Sequence, residues 1–367
     1  MLTLLVFLAV LSVLVLVHEL GHFIAARRMG VTVEEFGFGF PPRIFGFKRG
    51  DTTYSINWIP LGGFVRLKGE SGEDFHHHDS FIAKTIPRRA LIIAAGVVMN
   101  FLLAAVLFSV GFMIGLPQQV EQVPASARVR DVSVAFNYVV PESPAARVGF
   151  QAGDVVLSID GNTFQTAEAT QEYIRSREGQ TIHVVVRRQG ETQEFDVIPE
   201  VLPQTGKPGI GVGLLSVGIV SYPWYMAPVR GVILTAGLTG EIAQAFINIF
   251  RSLVSEGRVG VDVSGPVGIA VLTGRAAALG FSYLLQFVAV LSLNLAVINF
   301  LPIPALDGGR FLFLMIEAVR RKPVSRQLEN AIHQIGFALL LALVLVVTYR
   351  DVAQFSDRII GGLRGLF

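Results

Sequence analysis

Two histidines spaced for one helical turn, in the run His18-Glu19-Leu20-Gly21-His22, are the residues of this chain best suited to chemistry. A four-residue spacing places both imidazoles on one face of a helix, where they can hold one zinc ion. Glu19 follows the first histidine and is placed to take a proton from a water acidified by zinc. The run lies inside an apolar stretch, where three ionisable groups are costly unless something pairs them. Two histidines that merely pack in a helix are therefore the weaker interpretation.

A third metal ligand is expected, because a catalytic zinc ion usually has three protein ligands and an open fourth position. The chain contains no cysteine, so this ligand must be His, Asp or Glu. Asp307 is the candidate, because it closes an apolar stretch in the run 299–309, which contains two prolines and two glycines. Non-helical backbone at membrane depth is tolerated where it lines a wet cavity, as an active site does. The alternative is that Asp307 only caps the helix that follows it.

The elements that must position these residues follow from the composition. Of 367 residues, 52% are hydrophobic and 16% are charged, whereas about 25% are charged in an ordinary soluble domain. Four apolar stretches reach or approach the roughly 20 residues that a helix needs to cross the hydrocarbon layer. They are residues 2–26, 90–116, 281–301 and 331–347. The first lacks the leading basic region and the small-residue cleavage site of a signal peptide, so we expect it to be retained.

Arginine and lysine are concentrated between the first two stretches and between the last two. The positive-inside rule places both connections in the cytoplasm, and both termini and the long middle segment outside it. Residues 226–254 are apolar enough for a fifth span but carry Arg230, Glu241, Gln244 and Arg251. A fifth span would put Asp307 on the opposite face from the histidines. We therefore expect 226–254 and 259–279 to be amphipathic helices on the outer surface.

The two motifs together resemble the site-two protease family of intramembrane zinc metalloproteases, most of all the bacterial branch typified by the regulator of sigma-E protease. The run 18–22 matches the family's H-E-x-x-H, and residues 299–308 match its N-x-x-P-x-x-x-L-D-G. Residues 60–65 and 265–269 resemble two further family segments. The resemblance implies zinc ligands at His18, His22 and Asp307, water activation by Glu19, and substrate or active-site contacts at Asn294, Asn299, Pro302 and Pro304.

The resemblance also implies the substrate and shows one departure. The implied substrate is a single-span membrane protein already shortened by a first protease, such as an anti-sigma factor or a signal-peptide remnant. The family often has Gly-Pro before an asparagine in the second span. Here Val97 follows Gly96, and Asn100 is retained. The departure leaves the local helix geometry open and does not affect the expected chemistry.

A membrane-associated β-hairpin is predicted in the first cytoplasmic connection. Residues 52–58 and 64–68 alternate as strands do, around the turn-forming run 59–63. An open strand edge near the zinc would let a substrate add as an extra strand, with contacts at Gly63, Phe64 and Val65. The alternative is a hairpin that only packs under the helices. We interpret the nearby triple histidine at 76–78 as a solvated stretch rather than a metal site.

The middle segment has the composition of a small soluble domain. Strand-like runs at 155–159, 182–187 and 194–198 accompany a helix-like run at 166–177, and residues 142–161 resemble a bacterial PDZ domain. PDZ domains bind peptides by strand addition beside a helix. The stretch has no sharp carboxylate-binding loop. A gate that excludes bulky substrates and a domain that recruits peptides both remain open, and we favour the gate.

The expected fold is a mainly α membrane protein with four transmembrane helices, a membrane-associated β-hairpin and one extracytoplasmic PDZ (α+β) domain. We expect a monomer in the bacterial cytoplasmic (inner) membrane that binds zinc, lipid and membrane protein substrates but no nucleic acid. A transporter is disfavoured because the chain lacks paired inverted halves. An inactive scaffold is disfavoured because all the catalytic candidates are present. The expected segments are the first span with its motif (1–28), cytoplasmic loop with hairpin (29–88), second span (89–116), PDZ domain (117–203), surface helices (204–280), third span (281–310), cytoplasmic loop (311–330), fourth span (331–349) and tail (350–367).

Overall fold

The computed structural model describes residues 2–70, 77–121, 123–124, 126–188, 190–257, 264–322 and 324–364. His76, the first residue of the triple histidine, lies outside these described residues. The chain forms two compact units, one of Met1–Phe108, Gly231–Ala278 and Leu284–Phe367 and the other of Ser109–Arg230 and Leu279–Tyr283. In chain order the elements are α1 (Leu2–Arg28), β1 (Val33–Arg49), β2 (Thr52–Leu67), α2 (Ile86–Ile114), β3 (Leu116–Gln119), β4 (Arg128–Val139), α3 (Pro144–Val148), β5 (Val155–Ile159), α4 (Ala167–Ser176), β6 (Ile182–Arg188), β7 (Glu191–Val197), β8 (Glu200–Leu202), β9 (Lys207–Gly209), β10 (Val212–Ser221), α5 (Ala227–Glu256), α6 (Pro266–Leu279), α7 (Phe281–Phe300), α8 (Asp307–Arg320) and α9 (Arg326–Arg364).

Helices of membrane-spanning length dominate the first unit. Four of them, α1, α2, α7 and α9, correspond to the four predicted spans, and each has at least 20 residues, enough to cross about 30 Å of hydrocarbon. Helix α2 ends at Ile114 and α7 at Phe300, before the predicted ends of those spans. The fifth helix long and apolar enough to cross a membrane is Ala227–Ser255, in the segment predicted to lie on the surface. Helix α6 has 14 residues and spans only about 21 Å. The first half of the predicted cytoplasmic connection 311–330 is helical, because α8 continues from Asp307 to Arg320.

The predicted hairpin was wrong in its pairing. Strand β2 continues through the predicted turn, and its partner is β1, the segment upstream of it. The first half of β1 lies between the two halves of β2: Phe36 pairs with Val65 on one side and with Tyr54 on the other. Sequence reasoning missed β1 because glycines and prolines interrupt its alternation. Trp58 of β2 is 67% exposed.

The second unit is built on a six-stranded sheet of order β3-β10-β4-β5-β6-β7. Alternating residues of its strands and Ile174 of α4 form one apolar core, which includes Phe136, Ile159 and Val184. The three predicted strands appear as β5, β6 and β7, and the predicted helix as α4, which Thr166 caps at its N-terminus. The segment 204–280, predicted as surface helices, also contains β10. Glycines at 211, 213 and 218 disguised this strand in the sequence.

The two ends of this sheet domain are neighbours. Leu116 of β3 pairs with Val220 of β10, and the Tyr222 N–H donates to the Phe112 carbonyl oxygen at 2.8 Å. The chain therefore enters and leaves the domain at one place. The domain's strands extend from residue 116 to residue 221, beyond the predicted boundary at 203.

Candidate active site

The two histidines of α1 meet the acid of α8. His18 Nε2 lies 3.0 Å and His22 Nε2 3.2 Å from Asp307 Oδ2, and the two Nε2 atoms are 3.2 Å apart. Both histidines are buried, and the Asp307 side chain is 21% exposed. The helical spacing of 18 and 22 thus places both rings on the face of α1 that meets the first residue of α8. Among the described residues, this is the one cluster of His, Cys, Asp or Glu that could hold a metal ion.

Helix α2 orients the second histidine. His22 Nδ1 lies 2.8 Å from the Ile92 carbonyl oxygen, so Nδ1 carries the proton and Nε2 keeps a free lone pair. Gly96, one turn further on, provides the space for both rings. A Cβ on Gly96 would lie 2.4 Å from His22 Nε2 and 2.8 Å from His18 Cε1. Only a residue without a side chain fits at this position.

Asn100 orients the ring of the first histidine, His18. Its side-chain nitrogen is 3.3 Å from His18 Nδ1, and its side-chain oxygen is buried without a partner among the described residues. Nitrogen and oxygen of an amide exchange places when the group is turned by 180°. In that orientation the Asn100 oxygen accepts the His18 Nδ1 proton and leaves Nε2 free. Helix α2 runs uninterrupted past Gly96 and Asn100, so the departure from the family pattern at Val97 causes no break.

Glu19 faces the sheet of β1 and β2. The Val65 N–H donates to Glu19 Oε2 at 3.0 Å. A Cβ on Gly63 would lie 2.9 Å from the Gly37 carbonyl oxygen and 3.8 Å from Glu19 Cγ, so the strand passes close to this carboxylate. Phe64 is half-buried and lies against Gly37, 2.3 Å from the position of a Cβ there. The end of β2 is therefore directly beside the candidate base.

The four residues that the family resemblance predicts as substrate or active-site contacts lie in different parts of the first unit. Asn299 Nδ2 lies 3.4 Å from His18 Nε2, so this residue belongs to the cluster. Asn294 instead donates to the Val290 carbonyl oxygen within α7. Pro302 is exposed, and Pro304 packs against Gly336 of α9. Of these four residues, the structure brings only Asn299 to the metal-ligand cluster.

Several residues shape the site without carrying chemistry of their own. Gly308 and Gly309 let α8 begin against the preceding loop: a Cβ would lie 2.2 Å from the Leu301 carbonyl oxygen at Gly308 and 2.4 Å from the Ile303 carbonyl oxygen at Gly309. The paired glycines after the acid were the available signal. Ile92 left no signal, because it acts through its backbone.

The donor set suits zinc. Two neutral imidazoles and a carboxylate are typical of a catalytic site with three protein ligands, and such histidines donate their other N–H to an oxygen of the protein. Ile92 supplies such an oxygen to His22, and Asn100 supplies one to His18 when its amide is turned by 180°. The three ligand atoms lie 3.0–3.2 Å from one another, close enough to be held by one ion about 2.0–2.2 Å from each.

The sequence profile of peptidase family M50 matches residues 6–343 of this chain, which include His18, His22 and Asp307. The chain belongs to peptidase family M50. This is the site-two protease family that its motifs resemble, and the chain is accordingly a multi-pass membrane protein and a zinc metalloprotease. It is 32% identical over 430 residues to the zinc metalloprotease RasP of Geobacillus kaustophilus, covering 95% of this chain and 97% of that one.

Two further similarities were found. The regulator of sigma-W protease RasP of Bacillus subtilis is 30% identical over 434 residues, which cover 96% of this chain and 98% of that protein. The solved PDZ domain of an SdrC-like protein from Listeria monocytogenes is 29% identical, with a TM-score of 0.21, and covers 25% of this chain and 92% of that one.

Proposed function

We propose that this M50 peptidase cleaves single-span membrane proteins within or at the edge of the bilayer, after a first protease has shortened them. The observation that carries the proposal is that His18, His22 and Asp307 meet where α1 contacts the start of α8. The two histidines lie about 24 and 30 Å along α1 from its start. An anti-sigma factor or a signal-peptide remnant is the expected substrate class, in line with the name of the Bacillus subtilis relative.

The proposal gives each residue of the cluster one role. His18, His22 and Asp307 hold the metal, and Glu19 takes a proton from the attacking water and passes it to the leaving amine. A bound zinc ion supplies a Lewis acid that activates water and polarises the scissile carbonyl. Ile92 and Asn100 keep the imidazoles in the metal-binding tautomer. Asn299, 3.4 Å from His18 Nε2, is placed to donate to an oxygen of the substrate at the metal.

Substrate binding is proposed at the end of β2. Residues 63–67 pair with β1 on one side only, and no strand pairs with their other edge among the described residues. A substrate strand added there would present its peptide bonds beside Glu19. Gly63, Phe64 and Val65 are the proposed contacts. Asn294, Pro302 and Pro304 remain candidates through the family resemblance alone.

A four-span topology in the cytoplasmic (inner) membrane is proposed, with α5 on the outer surface. Two contacts of α6 support it. Asp351, near the end of the fourth span, accepts from the Gly265 N–H at 3.3 Å and from the Gly268 N–H at 2.7 Å. A Cβ on Gly274 would lie 2.4 Å from Thr3 at the start of the first span. Both contacts favour the same side of the membrane for α6, the start of α1 and the end of α9. Since α5 leads into α6, the C-terminal end of α5 would share that side.

The sheet domain is proposed to be an extracytoplasmic PDZ domain that acts as a gate. Strand β10 runs beside α4, whose Ala167 N–H donates to Ser216 Oγ at 2.9 Å. The edge of β10 away from β4 already pairs with β3. Past β3, Val120 N–H donates to the Ser216 carbonyl oxygen at 3.0 Å, and Glu121 Oε1 accepts from Ser216 N–H at 2.7 Å. The chain itself thus occupies part of the edge where a peptide would add, which favours exclusion over recruitment.

The test is cleavage by the purified protein in proteoliposomes of a single-span substrate already trimmed on its outer side. We expect cleavage within or next to the span, its loss on chelation, and its recovery when zinc is added back. Cleavage that persists after the metal has been removed completely would contradict the proposal. Cleavage of soluble peptides without cleavage of the single-span substrate would contradict it as well.

A further inference from the structure

The acid of the metal cluster follows a strained turn. The Leu306 N–H donates to the Ile303 carbonyl oxygen at 3.2 Å, which closes a four-residue turn with Pro304 and Ala305 at its centre. Ala305 has a φ of +75°, in the left-handed region that position three of a type II turn requires and that glycine normally occupies. Asp307 begins α8 directly after this turn. Its position therefore depends on a backbone conformation that alanine does not favour on its own.

Helix α9 holds that turn by one hydrogen bond. The Ala305 N–H donates to His333 Nδ1 at 2.8 Å. Because Nδ1 accepts, the neutral ring carries its proton on Nε2. One turn further along α9, Gly336 lets the helix touch the turn: a Cβ there would lie 2.4 Å from Pro304 Cβ. On the other side, a Cβ on Gly309 would lie 3.1 Å from Pro304 Cα. The turn is thus enclosed by α8 and α9.

No other side chain of α9 holds the turn by a hydrogen bond among the described residues. Among the described residues, His333 makes no hydrogen bond to the metal cluster, and its ring packs on Phe313 with the ring centres 5.6 Å apart. Removing the acceptor would leave the Ala305 N–H without a partner and free the turn to relax to a negative φ. The relaxation would move Leu306 and, with it, the carboxylate of Asp307.

We propose that His333 is a positioning residue, which fixes the third zinc ligand by accepting the Ala305 N–H and so holding the turn before Asp307. The proposal rests on the ligand set of the proposed function. Mutation of residues that orient metal ligands without binding the metal typically weakens metal affinity by 10–100-fold.

The test compares two replacements of matched shape in the full-length protein purified in detergent. His333→Asn keeps an acceptor at the same number of bonds from Cα, and His333→Leu keeps the branching without an acceptor. Zinc affinity is measured by competition with a chelator, and the ligand field by the visible absorption of the Co²⁺-substituted protein. We expect His333→Leu to bind zinc about 10–100-fold more weakly with an altered Co²⁺ spectrum, and His333→Asn to stay within about threefold of the wild type.

A rescue variant separates positioning from lost packing. Adding Ala305→Gly to His333→Leu should recover part of the affinity, because glycine adopts a positive φ without the penalty of a Cβ. Wild-type affinity in His333→Leu overturns the proposal, and so does a loss in His333→Asn as large as that in His333→Leu. If His333→Leu does not fold, the affinity of His333→Asn alone decides. Asp307→Ala in the same assay distinguishes failure of the role proposed for His333 from failure of the proposed ligand set. Wild-type zinc affinity in Asp307→Ala would refute the ligand set itself.

Discussion

Gly96 offers the sharpest test of the cluster's geometry, because a single methyl group there would occupy the space of the histidines. The Cβ of Gly96→Ala would lie 2.4 Å from His22 Nε2 and 2.7 Å from His22 Cε1, whereas ordinary contact begins at 3.4 Å. The ring or the helix must therefore move by about 1 Å, and zinc coordination tolerates about 0.2 Å. We expect a loss of zinc affinity of about 100-fold or more, since even indirect partners of ligands cost 10–100-fold.

The assay is zinc content by mass spectrometry together with chelator competition on the purified protein. Alanine favours a helix over glycine by about 1 kcal/mol, so weaker helix formation cannot explain a loss. Gly237→Ala in α5 is the matched control, because a Cβ at Gly237 has nothing within 4 Å. It should leave zinc binding unchanged. Stoichiometric zinc at wild-type affinity in Gly96→Ala would refute the described packing of the two histidines.

Two further predictions concern topology and the gate. Because the chain has no cysteine, labelling of a single introduced cysteine shows on which side of the membrane it lies. Asp51→Cys should be labelled only from the cytoplasm and Glu172→Cys only from outside. Tyr225→Cys and Ser255→Cys, at the two ends of α5, should both be labelled from the outer side. Labelling of the last two from opposite sides would establish a fifth span. Replacing 117–221 by a short linker, which is feasible because Leu116 and Val220 are paired, should preserve cleavage of a trimmed substrate and add cleavage of the untrimmed one. Loss of trimmed-substrate cleavage would instead identify a recruiting domain.

The sequence predicted those parts of the protein that depend on local spacing. His18 and His22 had to share a helical face, and Asp307 was recognisable as an acid in a run that could not stay helical. The long apolar helices followed from length and composition alone. Val155–Ile159 and Ile182–Arg188 were recognisable as strands because they are short runs rich in valine and isoleucine between clear turns.

Long-range packing limited the prediction elsewhere. Thr52–Leu67 has the alternation of a strand, but its partner, Val33–Arg49, is interrupted by glycines and prolines, so the pairing was assigned wrongly. Val212–Ser221 was missed for a similar reason. Gly96 and His333 act on residues 74 and 28 positions away, Gly96 on His22 and His333 on Ala305. A glycine or histidine in an apolar helix does not reveal such a contact.

The measurement that tests the central claim most directly compares Glu19→Gln with the wild type for zinc content and for hydrolysis of a single-span substrate in proteoliposomes. The substitution removes the base and keeps the shape and the metal ligands, so we expect full zinc occupancy and a loss of turnover of at least about 100-fold. Asp307→Ala, which removes a ligand, should lose both zinc and turnover. Substantial hydrolysis by zinc-loaded Glu19→Gln would contradict the proposed mechanism.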